Sequence, residues 1–255
     1  MILAYIFIGL LGLSLGSFMS VIVFRLDRKE GILTGRSECP KCHKQLAWYD
    51  LVPVLSYLIL RGKCRYCGSK ISIIYPMVEL TTAVIMVSYF WVNGFNLGLS
   101  GVYYSALIFM LAALIFFDIL YLILPDKIVF SLAGLSLLYD IFFRSTELIS
   151  LLVSGFLFTL AFAIIYIVYN GKAMGFGDVK LALAIGFILG YPMGFFAVVL
   201  AIWSAALWGI GMMVLKKATL KTALPFGSFL SATTIFFIIF EKVIHEKIFF
   251  YNYFF

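Results

Sequence analysis

Three carboxylates set in otherwise apolar stretches of this chain are placed to do chemistry. Glu79 falls in Tyr75-Pro76-Met77-Val78-Glu79-Leu80, Asp118 follows Leu114-Ile115-Phe116-Phe117, and Asp178 closes Gly175-Phe176-Gly177-Asp178. An ionisable side chain at the centre of a membrane helix costs roughly 2.5 to 3.5 kcal/mol on insertion scales, so each asks for a reason. Two aspartates that meet in a partly dry site cannot both ionise cheaply and share one proton. Such a pair can activate a water with one carboxylate and protonate a leaving amine with the other, which hydrolyses a peptide bond without metal or nucleophile. Gly175 and Gly177 let backbone approach closely, so an extended substrate can lie beside Asp178. Plainer readings stand beside these. Glycine is common in membrane helices for packing alone, Asp178 also suits a helix cap, and Asp118 also suits a helix-end acid touching interfacial water. Asp126, in Leu124-Pro125-Asp126, reads as the N-cap of the next helix.

Four cysteines form a second centre. They stand as Cys39-Pro40-Lys41-Cys42 and Cys64-Arg65-Tyr66-Cys67, with 21 residues between the pairs. Two such knuckles at that separation can present four thiolates tetrahedrally to Zn²⁺, and the metal supplies folding energy that a small segment lacks. Four reduced structural thiols are the alternative, against which stand the regular pairing and the basic surroundings. Disulfides are disfavoured by a cytosolic placement. Cys39 to His43 also spells the C-x-x-C-H haem pattern, but that attachment is expected outside the cytoplasm and the second knuckle ends in Cys67-Gly68. His43 is either a replacement ligand or a solvated loop histidine.

The elements that carry these groups follow from hydropathy and charge. Of 255 residues 64% are apolar and 12% charged, against roughly 45 to 50% and 25% in a soluble domain. A secreted or cytosolic soluble enzyme is thereby excluded, and at about 20 residues per span the length admits up to eight helices. Residues 1 to 24 carry no charge and read as an uncleaved first helix, because the bases follow the apolar run instead of preceding it. From Arg25 to Lys70 the net charge is +6 of the formal +7, which by the positive-inside rule marks a cytoplasmic segment. Breaks at Asn93-Gly94, Leu124-Pro125-Asp126-Lys127, Arg144 to Glu147, Gly171 to Asp178, Tyr191-Pro192 and Lys216 to Lys221 predict further spans near 72–92, 100–122, 127–143, 147–169, 178–190, 193–215 and 223–241. The weakest of the eight is the sixth, 178–190, which is short for a roughly 30 Å hydrocarbon layer; merging with its neighbour or sitting partly on the cytoplasmic side are both open.

This count leaves sixteen bases inside and three outside (Arg144, Lys242 and Lys247), and puts both termini outside. The expected fold is all-α and polytopic, with about eight transmembrane helices. Its parts are a first helix over 1–24, a cytosolic zinc-binding subdomain over 25–70 too small to fold on its own core, and a helical protease core over 71–255.

In their order along the chain these residues resemble the prepilin peptidases, the type IV leader peptidase and N-methyltransferase family of G-x-G-D membrane aspartic proteases. The likeness runs from Gly16-Ser17-Phe18 and Arg25-Leu26, through the paired knuckles bracketing Tyr49-Asp50-Leu51-Val52-Pro53 and Leu60-Arg61-Gly62-Lys63, to Tyr75-Pro76, Glu79, Asp118, Leu124-Pro125-Asp126 and Met174 to Lys180. The resemblance implies Asp118 and Asp178 as the catalytic pair. It also implies cleavage of a basic leader from prepilins or pilin-like proteins after Gly, then methylation of the new N-terminus with S-adenosylmethionine. The enzyme would sit in the cytoplasmic (inner) membrane with its active site near the cytoplasmic face, lipid and pilin-like proteins as its partners and no nucleic acid. Ser20 stands where many members carry Asn, which bears on methyl transfer, and Ala173 where Gly is usual before Met174.

Methyl transfer needs a polar, water-accessible pocket, and Glu79 beside the cytosolic subdomain is the carboxylate placed to orient the amine or accept its proton. No glycine-rich dinucleotide-type loop marks the methyl donor, so a leader peptidase without methyl transfer is one alternative. A transporter or assembly platform with zinc knuckles is another, against which no second-half duplicate of the buried acids is visible.

Overall fold

The computed structural model describes residues 2–25, 36–172, 174–219 and 222–252, with side chains of the last helix described as far as Ile244. The charged run Asp27 to Glu30, Leu26, Ala173 and Lys221 lie outside the described residues. Helices account for nearly all of the regular structure: α1 (Ile2–Arg25), α2 (Leu55–Ile59), α3 (Ile74–Asn93), α4 (Leu99–Tyr121), α5 (Asp126–Phe143), α6 (Leu148–Val168), α7 (Phe176–Leu189), α8 (Met193–Val214) and α9 (Phe226–Asn252), with a 3₁₀ turn over Trp48–Leu51. Each expected span has its helix. Six of them, α1, α3, α4, α6, α8 and the Phe226–Ile244 part of α9, are long and apolar enough to cross a membrane. The chain divides into two compact units, Met1–Asn96 and Leu97–Phe255.

In the first unit α1 packs along α3. Gly12 and Gly16 make this possible, because a Cβ on Gly12 would lie 2.6 Å from Ala83 Cα and one on Gly16 2.6 Å from Glu79 Cα. Small residues four apart let two helix backbones touch where lipid offers no hydrophobic drive for association. Between these helices in sequence, the two knuckles share one local fold. Cys39 N–H donates to Lys44 O and His43 N–H to Cys39 O, just as Cys64 N–H donates to Ser69 O and Gly68 N–H to Cys64 O.

In the second unit α7 is central, packing against α5, α6, α8 and α9. Its 14 residues rise about 21 Å, too little to cross a roughly 30 Å layer. It stays a separate helix, ended by Gly190 at φ 60°. Every residue from Ala184 to Leu189 is buried, as expected of a helix that is apolar all round. Gly155 of α6 and Gly186 of α7 meet backbone to backbone, leaving no room for a Cβ on either. Two boundaries differ from expectation. The last helix runs to Asn252 rather than ending near 241, since Glu and Lys are good helix formers and no Gly or Pro interrupts them. Asp126 is not an N-cap: Pro125 holds that position in extended backbone, and Asp126 is the first helical residue, its carboxylate paired with Lys180.

Candidate active site and metal centre

Asp118 sits one turn before the end of α4, which closes with Leu122 at φ 54° donating its N–H to Asp118 O. Ile123, Leu124 and Pro125 then lead into α5. Asp178 is the third residue of α7, whose N-cap is Gly175, and its Oδ2 accepts the Gly175 N–H at 3.2 Å. Asp178 is therefore not the N-cap of a helix that begins after it: it lies inside the first turn of α7, with one oxygen turned back to the N–H of the N-cap residue Gly175. Both aspartates are 6% exposed and interact electrostatically.

They converge on the start of α9. The Ser228 N–H donates to Asp118 Oδ2 at 2.6 Å, while a Cβ built on Gly227 would lie 3.1 Å from Asp178 Oδ1. The same Cβ would lie 2.8 Å from Leu124 Cδ1, and one on Gly177 would lie 3.0 Å from Leu124 Cβ. The buried Leu124 is therefore wedged against two glycines, and three chain segments reach the carboxylates only because neither carries a side chain. The close approach expected at Gly177 is taken by Leu124. The Cβ side of Gly175 meets nothing nearer than Asp178 Oδ2 at 3.8 Å, and Gly175 itself is exposed. Leu124 stands in the sequence only as part of the Leu124-Pro125-Asp126 break, with nothing to mark its place at the site, and Gly227 and Ser228 carry no signal: Pro225-Phe226-Gly227-Ser228 reads only as a helix start, with no titratable group to draw attention.

In the first unit the Sγ atoms of Cys39, Cys42, Cys64 and Cys67 lie within 4.8 Å of one another, with Cys39 and Cys67 at 3.8 Å. Tetrahedral thiolates at about 2.3 Å from a zinc ion stand about 3.8 Å apart, so the set fits such an ion. Cys39 is drawn down to about 6, first by the Cys42 N–H and against the cost of burial, with Lys41, Ser69 and Cys64 assisting. The Lys44 N–H favours the Cys42 thiolate, but desolvation and the neighbouring sulfurs of Cys39 and Cys67 together outweigh it and push this thiol up to about 11. His43 is not among the ligands: it takes φ 54° where the second knuckle has Gly68 at 69°, and its side chain is 73% exposed, 3.9 Å from Glu38.

Asp50 braces the second knuckle. Its Oδ1 accepts Arg65 Nε at 2.7 Å and its Oδ2 the Tyr66 hydroxyl and Ala47 N–H, both at 3.2 Å. Burial alone would raise Asp50, but these bonds outweigh it and hold the carboxyl below its ordinary range.

Glu79 is 8% exposed, and its Oε2 accepts the Val54 N–H at 2.7 Å. Val54 stands at φ 59°, with the Leu55 N–H turning back to Pro53 O. This γ-turn conformation is rare for a β-branched residue and costs of order 1 to 3 kcal/mol. A cavity of about 520 Å³ opens beside Glu79, lined by Ser17, Ser20, Arg25, Asp50, Tyr57 and Tyr75 among others.

A model of the bacterial Peptidase A24 N-terminal domain matches residues 10–93, and one of the Type IV leader peptidase family matches residues 105–210. The chain is 35% identical over 200 residues to the prepilin leader peptidase/N-methyltransferase of Vibrio cholerae, covering 72% of this chain and 77% of that protein. Its counterpart in Bacillus subtilis is 32% identical over 236 residues, 88% of this chain and 89% of that protein. That of Legionella pneumophila is 32% identical over 255 residues, 89% and 88%. No solved structure matches the chain significantly.

Proposed function

Because the chain belongs to the type IV leader peptidase family, we propose that it removes the leader from prepilins with Asp118 and Asp178 and then methylates the new N-terminus. The observation that carries the peptidase reading is the meeting of two buried aspartates, sixty positions apart in sequence, at the start of α9. One carboxylate takes a proton from water as its oxygen adds to the scissile carbonyl. The other, protonated, gives its proton to the departing nitrogen as the C–N bond breaks. The open side of Gly175 favours it as the place where substrate backbone passes the pair, with Gly177 serving that path by admitting Leu124.

For the second activity, the cavity under the knuckles has the size of a small-molecule site, and its hydroxyls, acids and base suit a zwitterionic donor such as S-adenosylmethionine. When bound, that donor supplies an electrophilic methyl group. Glu79, with one oxygen held by Val54, orients the amine and accepts its proton. The four cysteines hold zinc as a structural ion, since a set of four thiolates leaves no open position for substrate.

The basic loop and the base count along the chain support an inner-membrane enzyme with knuckles and aspartates toward the cytoplasm and both termini outside. The same charge shift supports reading 25–70 as the zinc-binding part and 71–255 as the protease part. The test is to incubate purified protein with a prepilin and isotopically labelled methyl donor, following leader loss and label on the shortened product. Both are expected, and a protein that folds, holds metal and does neither would overturn the reading.

A further inference from the structure

We propose that residues 48–59, between the two knuckles, are seated in the bilayer interface and contact lipid directly, so that the zinc-binding part is anchored in the membrane surface rather than standing free in the cytosol. The sequence from Trp48 to Leu60 carries one charged residue, Asp50, and both of its oxygens are spoken for within the protein. Within α2 the arrangement is inside out. Ser56, Tyr57 and the C-cap residue Leu60 line the internal cavity, while Leu55, Leu58 and Ile59 point away from the protein, 54%, 64% and 66% exposed. Those three positions fall at i, i+3 and i+4, one face of a helical turn. Trp48, just upstream, is 79% exposed.

What covers this face is fixed by depth. Val54, immediately before α2, donates its N–H to Glu79, and Glu79 lies five residues into α3, a membrane-crossing helix that starts at Ile74. Five residues rise about 7.5 Å, and side chains tilt back toward the helix N-terminus, so the Glu79 carboxylate sits near the first turn of the span. A segment hydrogen-bonded at that level is in the headgroup and upper acyl zone, where an apolar face with a tryptophan is favoured. Arg61 and Lys63, both exposed, follow at once and complement anionic headgroups.

The test uses the full chain in nanodiscs with tryptophan as the reporter. The chain has four tryptophans, so Trp91→Phe, Trp203→Phe and Trp208→Phe leave the native Trp48 as the sole reporter, with residues 48–59 unchanged. A second protein adds Trp48→Phe and carries Leu58→Trp. Both should emit to the blue of water-exposed tryptophan, be quenched by lipids bearing a nitroxide near the headgroup more than by lipids bearing it at the chain end, and be protected several-fold from acrylamide. Full acrylamide quenching with no effect of the nitroxide lipids would overturn the proposal. Shielding from both quenchers would also overturn it, since a second copy of the chain or another protein would then cover the face. Metal content and prepilin cleavage report on folding, and the native Trp48 reporter keeps the test valid if the Leu58→Trp protein fails either.

Discussion

Ser228 N–H donates to the Asp118 carboxylate at 2.6 Å, across 110 positions of sequence, and the glycine before it faces Asp178. The start of α9 therefore sets where both carboxylates stand. Gly227→Ala should place a methyl group against Asp178 Oδ1 and Leu124, and a displacement of about 1 Å in such a site costs on the order of a hundredfold in rate. Cleavage should fall by about that much, with methylation of a pre-cut peptide kept. Adding Leu124→Ala relieves the contact with the leucine and leaves the one with the carboxylate. Recovery of cleavage in the double variant would show that packing alone was at stake.

The spans, the knuckles and the two aspartates were legible in the sequence because each departs from its surroundings: charge in apolar runs, and cysteines at a repeated spacing. Leu124 and Gly227 were not, since a leucine and a glycine in this composition look like any other, and what distinguishes them is a contact made by distant segments. The pairing of Asp126 with Lys180 was hidden for the same reason, and a Pro-Asp step favoured the cap reading. The charge around residues 48–59 marks them as cytosolic, whereas the exposure of Leu58 and Ile59 and the hydrogen bond from Val54 to Glu79 of another helix are visible only in three dimensions.

One zinc ion per chain is the expected metal content. Replacing Cys39 and Cys42 with Ser should remove it and lower the stability of the 36–70 segment most, as seen by hydrogen exchange or proteolysis. A metal-free wild-type protein with unchanged protection there would contradict the assignment.

Asp50 gives a pH dependence with a definite sign. Its folded carboxyl titrates below the unfolded value of about 3.9, so its contribution is complete above that value and disappears as pH falls through the lower folded one. Asp50→Asn should therefore lower the thermal midpoint by several degrees at neutral pH, the gap to wild type closing below about pH 4. A gap that persists unchanged to pH 3 would assign the loss to packing instead.

Glu79→Gln should reduce methylation of a pre-cut peptide at least about tenfold, the low side of what a positioned proton acceptor contributes, with leader cleavage retained. Equal loss of both activities would make Glu79 a structural partner of Val54 only.

The central claim is that Asp118 and Asp178 act as one unit, and the most direct measurement is cleavage of a prepilin by the single and double asparagine variants beside Asp126→Asn. Asp118→Asn and Asp178→Asn should each abolish cleavage, and the double change should cost no more than either, because groups sharing one task are non-additive. Asp126→Asn removes an exposed pair with Lys180, 60% and 19% exposed, worth about 0 to 1 kcal/mol, and should keep turnover. A folded Asp118→Asn protein cutting at near the wild-type rate while Asp126→Asn is dead would contradict the account and move the first catalytic role to Asp126.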